Sequence, residues 1–536
     1  MDRRVAQGRP PDPPADRASQ VTGPSRATLA VGRGVGLTAA ASLAAAAVAF
    51  VLARNALMPG VGFWDTAEYQ AVGPLLGTAH PTGFPSYVIL GWLASIVLAP
   101  FGEAAFRMNL LSAILVATAA GLTVVLVRIL TRSLPIGIAA GLGLATTPLV
   151  WHISTHADAH AFHLALVAVL LVTLVAWARA RRAGLGDRWL IVAALVFGVS
   201  LANHGLTLLL APAVGLYVLA VDPGIWRRWR LLATCAAVLG ATVVLFYLEL
   251  PLRAGIFRAP LVYGTPDTWD GFRYVVLAEQ FHGNIVDPFG DVGPKFLRFV
   301  DLAAAQFGPL LLLLPPAFLV TAWREPRYAL LSGVAAVVTC FFAMSYVDAD
   351  VTRYYLGPVL IAWTWLAILA AAAADVVTAI GASRRPVAPV DALRFAVGLG
   401  AAVALLIPSG LSLSARADAV DESQDRGAQR WLDATLTALP PNSVVISWWS
   451  YSTPLWYAQL VEHRRPDISI VDDRTRLDRN MGEVTDVIDA ELGSRPVYII
   501  RPANEVSSLL LRYRLQAVGG GATSLIQVVA RQGASR

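Results

Sequence analysis

Charge is scarce in this chain. Only 15% of its 536 residues are Asp, Glu, Lys or Arg, and 56% are hydrophobic. That excludes an ordinary soluble protein, in which about a quarter of residues are charged. Cysteine is scarcer still. The two present, Cys235 and Cys340, lie inside apolar runs, which excludes a disulfide framework. Lysine is almost missing, so the formal net charge of +6 is carried by arginines. They sit in short clusters between apolar runs, as positive-inside loops do, and not on a nucleic-acid-binding face. The C-terminal tail lacks a glycine-rich phosphate loop and any metal-spaced Cys or His set.

What is abundant is apolar sequence, with a mean hydropathy of +0.59. Runs of about 20 residues, enough to cross a bilayer, recur. The pattern predicts a polytopic α-helical membrane protein with about eleven spans, at 34–53, 110–127, 134–150, 161–178, 189–202, 206–221, 231–250, 307–323, 329–346, 355–374 and 395–411. The apolar segment 87–100 is short for a crossing and flanked by prolines, so it reads as a re-entrant or interfacial helix. If it does not cross and the N-terminus is cytoplasmic, every Arg cluster between spans falls inside, from Arg128 and Arg132 through Arg384 to Arg394. If it crossed, the later clusters would flip outside, against the positive-inside rule. Residues 1–33 are polar and Pro-rich and are expected to be a disordered cytoplasmic terminus. Residues 34–411 form the membrane domain. Residues 412–536, in which short β-type runs (444–448, 468–472, 497–501, 525–529) alternate with helical patterns (429–439, 454–462, 483–492, 505–513), form an external α/β domain.

The polar candidates cluster in the outward stretches. Asp65 and Glu68, three apart, share a helix face in the first. They are catalytic carboxylates or a solvated helix start. His80 follows in His80-Pro81-Thr82-Gly83-Phe84-Pro85, a rigid turn that aims the imidazole or merely caps the bundle. The second outer stretch holds His152, His156, Asp158, His160 and His163. The histidines have helical spacing and suit a divalent ion, but a polar rim that binds substrate is the preferred reading, joined by Asn203 and His204. The third offers Arg253 and Tyr263. The fourth offers Asp348, Asp350 and Arg353. An Arg above a membrane helix suits a phosphate, and equally an interfacial pairing with Asp348 or Asp350.

These pieces occur in one order: Asp65-Thr66-Ala67-Glu68-Tyr69, His80-Pro81-x-Gly83-Phe84-Pro85, Gly102-Glu103-x-x-Phe106-Arg107-x-Asn109-Leu110-Leu111-Ser112, then Asn203-His204. From about Gly62 to Tyr355 the chain resembles a bacterial membrane family related to the animal endoplasmic reticulum O-mannosyltransferase that acts on plexin-type receptors, with the GT-C glycosyltransferase architecture. The tail around Trp448-Trp449-Ser450-Tyr451-Ser452-Thr453-Pro454 looks like extensions of bacterial members. The resemblance implies an inverting transferase. It would move a sugar, mannose by the family, from a polyprenyl-phosphate donor to a hydroxyl of a protein or glycolipid acceptor. Asp65 matches the catalytic base, with Glu68 beside it. Two motifs depart from the family's pattern. Asp158-Ala159-His160 stands for Glu-x-Tyr, and Tyr263-Gly264-Thr265-Pro266 for a Trp-Gly-Asp-Pro type motif. No cofactor is expected, since an Arg can stabilise the departing phosphate without a metal. The Ala- and Arg-rich composition points to a bacterial plasma membrane. The competing classes are a transporter or lipid flippase and a non-catalytic scaffold.

Overall fold

The computed structural model describes residues 26–347, 350–384, 390–520 and 523–532, with side chains from residue 34 and excluding residue 384. Residues 1–25 of the expected disordered terminus lie outside them, as does Asp348, but 26–33 are not disordered: they open the helix Arg26–Asn55 that continues into the first span. Among the described residues, eight helices are long and apolar enough to cross a membrane: Gly34–Asn55, Ala104–Thr131, Ala159–Arg182, Trp229–Ala254, Val292–Arg324, Pro326–Met344, Val351–Ser383 and Val390–Leu411. Shorter apolar helices are Pro85–Val97, Leu134–Ala145, Arg188–Leu201 and Gly205–Val221. All eleven expected spans are therefore helical, and the chain is a multi-pass membrane protein.

Three of them are broken where proline removes an N–H and restricts the residue before it. The expected span 134–150 stops at Ala145 and resumes as Pro148–His152. The span 206–221 begins as a 3₁₀ turn, Gly205–Leu210, ahead of Pro212. The segment before Pro315 and Pro316 is likewise 3₁₀, Gly308–Leu313. The short helix Pro85–Val97 spans about 20 Å at 1.5 Å per residue, less than the hydrocarbon core. It buries Tyr87, Val88 and Ala94 and exposes Trp92, Leu93, Ile96 and Val97.

Small residues let the helices approach closely, as membrane packing requires. A Cβ on Gly143 would lie 2.4 Å from the Trp363 ring, and one on Gly141 2.6 Å from the Ala120 carbonyl. The Trp363 Nε1–H donates to Thr147 Oγ1 at 2.8 Å, inside the bundle.

The arginine clusters meet at one end of the bundle, where several of them pair with acidic residues. Arg181 and Arg228 pair with Asp222, Arg228 also with Asp187, Arg179 with Glu325, and Arg324 and Arg394 with Asp375. The helix Ala159–Arg182 carries Asp158 at its other end, about 36 Å away by helical rise.

The tail folds as a five-stranded sheet, β1 Val444–Ser447, β2 Ser469–Val471, β3 Val497–Ile500, β4 Tyr513–Val518 and β5 Leu525–Arg531, in the order β2-β1-β3-β5-β4. β2, β1 and β3 are parallel; β5 and β4 are antiparallel to their neighbours. The strand period of two divides the sheet into faces. Val445, Tyr498 and Ile500 pack with Trp431, Leu432 and Leu455, and with Val61, Ala67 and Ala71 of the membrane domain. Val444, Ile446, Val497 and Ile499 pack with Val487, Ile488 and Leu509 on the other side. The helix expected at 505–513 ends at Leu509, and Tyr513 opens β4, which the periodicity had not separated from it.

Candidate active site

A cavity of about 910 Å³ opens at the end of the bundle opposite the arginine clusters. Separate stretches of chain supply its polar residues, and four of them bring the charged and imidazole groups around Arg353. The helix Trp64–Leu75 brings Asp65, entered through Trp64 in the left-handed region (φ 55°). The turn before Pro85 brings His80, the start of Ala159–Arg182 brings Asp158 and His160, and the 3₁₀ turn Val351–Tyr355 brings Arg353.

Arg353 is the hub. Its guanidinium reaches Asp65 Oδ2 at 2.8 Å, Asp158 Oδ2 at 3.0 Å and Asp350 Oδ2 at 3.4 Å. Asp158 is the fixed anchor. It is buried, caps its own helix by accepting from the His160 N–H at 2.6 Å, and contacts His160 Nδ1 at 2.8 Å. Burial alone would raise its carboxyl. The charges of Arg353 and His160 outweigh that and hold it far below the usual carboxylate range. Asp65 is the looser partner, with its side chain 21% exposed against 3% for Asp158.

Glu68 does not stand beside Asp65 as a second reacting carboxylate. It is buried and turned into the His80 loop, where it accepts from the His80 N–H at 3.0 Å and binds His80 Nδ1. Burial alone would lower the His80 imidazole; Glu68 and Asp65 raise it to about 9. Glu68 thus positions the Pro-rich turn, and His80 lines the cavity.

Of the remaining expected residues, His156, His204 and Tyr263 line the cavity. His204 caps the turn Gly205–Leu210 through Nδ1 and lies 4.8 Å from the His160 ring. Burial and its imidazole neighbours push it well below its ordinary value. Asn203 is buried behind the wall and donates to the Ala159 carbonyl at 3.1 Å. Arg253 is not brought to the cavity. Its guanidinium donates to the carbonyls of Leu75 and Leu76 at 3.2 and 2.7 Å, satisfying the end of the helix that carries Asp65.

The expected helical row of histidines is broken. The chain turns between His152 and Asp158, because Asp158 is extended and starts a new helix. His152 and His156 face Glu422, whereas His160 faces Asp158. Trp449 in the cavity wall and Glu422 behind the second loop are among the residues that went unread in the sequence. Trp449 of the tail lines the cavity, 5.5 Å from His80; the Trp448-Trp449 pair was its signal. Glu422 had none, since nothing local ties it to a loop 266 residues earlier.

Residues 65–224 match the family model for the protein O-mannosyl-transferase TMEM260 N-terminal domain. The resemblance read from the motifs is thereby confirmed, and the TMEM260-like segment starts at Asp65 itself. Tyr263 and Arg353 lie beyond it. The mouse protein O-mannosyl-transferase TMEM260 is 30% identical over 250 residues, 45% of this chain and 34% of the relative. The chain thus spans about a third of that protein's length. Among solved structures, ArnT from Cupriavidus metallidurans bound to undecaprenyl phosphate superposes with a TM-score of 0.56 at 15% identity, covering 94% of this chain and 99% of ArnT. The apo form of ArnT gives 0.58 at 17% identity, with 94% and 98% coverage. The Archaeoglobus fulgidus oligosaccharyltransferase gives 0.50 at 16%, covering 85% of this chain and 69% of that one. These likenesses show the fold: GT-C-like, with a small sheet domain after the membrane helices.

Proposed function

We propose that the chain is an inverting glycosyltransferase that moves mannose from a polyprenyl-phosphate donor to a hydroxyl of a protein or glycolipid acceptor on the outer face of a bacterial plasma membrane. The observation that carries the reading is Arg353 held between a buried Asp158 and a partly exposed Asp65 on one cavity wall. The TMEM260 match and the ArnT fold, seen with undecaprenyl phosphate, support it.

In this reading the donor phosphate competes for the Arg353 fork. The Asp158 limb stays, because Asp158 is buried and tied to His160. The Asp65 limb yields, freeing that carboxylate to take the acceptor's proton. The acceptor oxygen attacks the anomeric carbon opposite the departing phosphate, the sugar–phosphate bond breaks, and the anomeric centre inverts. Arg353 receives the charge that develops on the phosphate, so the step needs no metal at the reacting atoms. The apolar wall of Leu206, Leu208, Leu209, Ile285 and Phe342 suits the first isoprene units. His80, His156, His204, Tyr263 and Trp449 line the rest and suit sugar and acceptor.

The test uses purified protein with polyprenyl-phosphate mannose labelled in the sugar, and membrane extract as the source of acceptor. Label passing to protein or glycolipid is expected. A flippase would carry the labelled lipid across vesicles and leave the sugar–phosphate bond intact.

A further inference from the structure

One cluster lies beside the proposed transfer site and shares only His156 with it. His152 ends the helix Pro148–His152, His156 follows in the turn, and Glu422 arrives from the segment after the helix Leu413–Val420. Glu422 is fixed before any ligand is considered. Its backbone N–H donates to the Ala56 carbonyl at 3.0 Å, and Thr155 Oγ1 donates to its Oε2 at 2.8 Å. His156 Nδ1 lies 3.1 Å from Glu422 Oε2, and His152 Nδ1 lies 3.6 Å from Oε1. One ligand atom from each residue falls within 4.8 Å of the others.

Those separations, 3.1 and 3.6 Å with all three ligand atoms within 4.8 Å of one another, approach what a tetrahedral ion imposes and need only small side-chain shifts to reach it. Zinc bonds of ~2.0–2.2 Å place neighbouring ligand atoms about 3.3–3.6 Å apart. Two imidazoles and a carboxylate are donors that suit zinc, and three protein ligands leave a fourth position for water. Thr155 supplies the outer-shell hydrogen bond that orients a ligating carboxylate.

We propose that His152, His156 and Glu422 bind one Zn²⁺, which ties the second loop to the segment leading into the sheet domain. His156 also forms part of the cavity wall, and Asp158, two residues on, anchors Arg353. The ion therefore steadies the loop that presents Asp158, without touching the reacting atoms. The inference stands apart from the transferase reading, since it concerns binding and not turnover.

The full chain, purified in detergent, stripped with EDTA and desalted, is titrated with ZnCl₂ against a chromophoric chelator. One equivalent per chain is expected. Thr155→Val should weaken binding by the ~10–100-fold typical of losing an outer-shell partner, and His152→Ala and Glu422→Gln by more. The His152 side chain is half exposed, so its replacement leaves the fold intact. His463→Ala, an exposed histidine far along the tail, should bind as the wild type does. Equal affinity in wild type and His152→Ala, or no uptake by the wild type, overturns the proposal.

Discussion

Arg353 concentrates the site's electrostatics in one side chain, because a planar guanidinium holds several carboxylates at fixed angles in a rigid fork, whereas an ammonium is a freely rotating point charge. Arg353→Lys keeps the charge but loses the fork, and should weaken binding of labelled polyprenyl-phosphate mannose by about tenfold or more, the equivalent of ~1.4 kcal/mol. Unchanged affinity would remove Arg353 from the donor site. The His80–Glu68 pair makes a pH prediction. His80 is raised from 6.5 to about 9, so the pair's contribution is full below about pH 6.5 and is lost as pH rises through about 9. Glu68→Gln should lower the Tm at pH 6, and the gap between variant and wild type should close by pH 10. A gap independent of pH would contradict the assignment. At this scale the sequence was informative where a residue sat inside a motif, as Asp65, His80 and Asp158 do. Arg253 and Arg353 look alike in sequence, each following an outer helix boundary. Only the fold distinguishes the one that satisfies carbonyls of its neighbour from the one that faces the cavity.

Among the elements, apolar run length made the helices legible, and proline marked where they break. What the runs could not reveal was distance between helices. Gly143 lies in a segment that reads as any apolar span, yet it is the floor on which Trp363 rests. Gly143→Ala places a methyl against that ring, and overpacking of this kind costs about 1–3 kcal/mol. A lower Tm in detergent is expected, with Gly400→Ala, at a glycine with open space around it, as the neutral comparison. A matching loss at both positions would contradict the packing account. β4 was missed because Tyr513-Arg514-Leu515-Gln516 follows a helical pattern without a turn signal. It is an edge strand, with its pairing supplied by β5 alone.

For the whole molecule, the arginine pattern in the sequence anticipated the bundle's polarity. The clusters gather at one end with their acidic partners, and the candidate site lies at the other. Reporter fusions after Arg188 and after Ser412 should therefore give opposite sidedness, cytoplasmic for the first and external for the second. Identical results would sink this topology. The sheet domain's packing on the first loop was not legible, because it depends on Val61, Ala67 and Ala71 meeting Trp431 and Leu455 across the chain. That packing carries Trp449 to the cavity and makes the tail part of the site. The account's central claim is that Asp65 is the base of a sugar transfer from a lipid phosphate. Asp65→Asn keeps the side chain's shape but cannot accept the proton. The decisive measurement is transfer of labelled mannose from polyprenyl phosphate by wild type and Asp65→Asn at matched expression, with donor binding followed in parallel. The account predicts a fall in turnover of about 10²–10⁴-fold with donor binding retained; wild-type turnover in Asp65→Asn would contradict it.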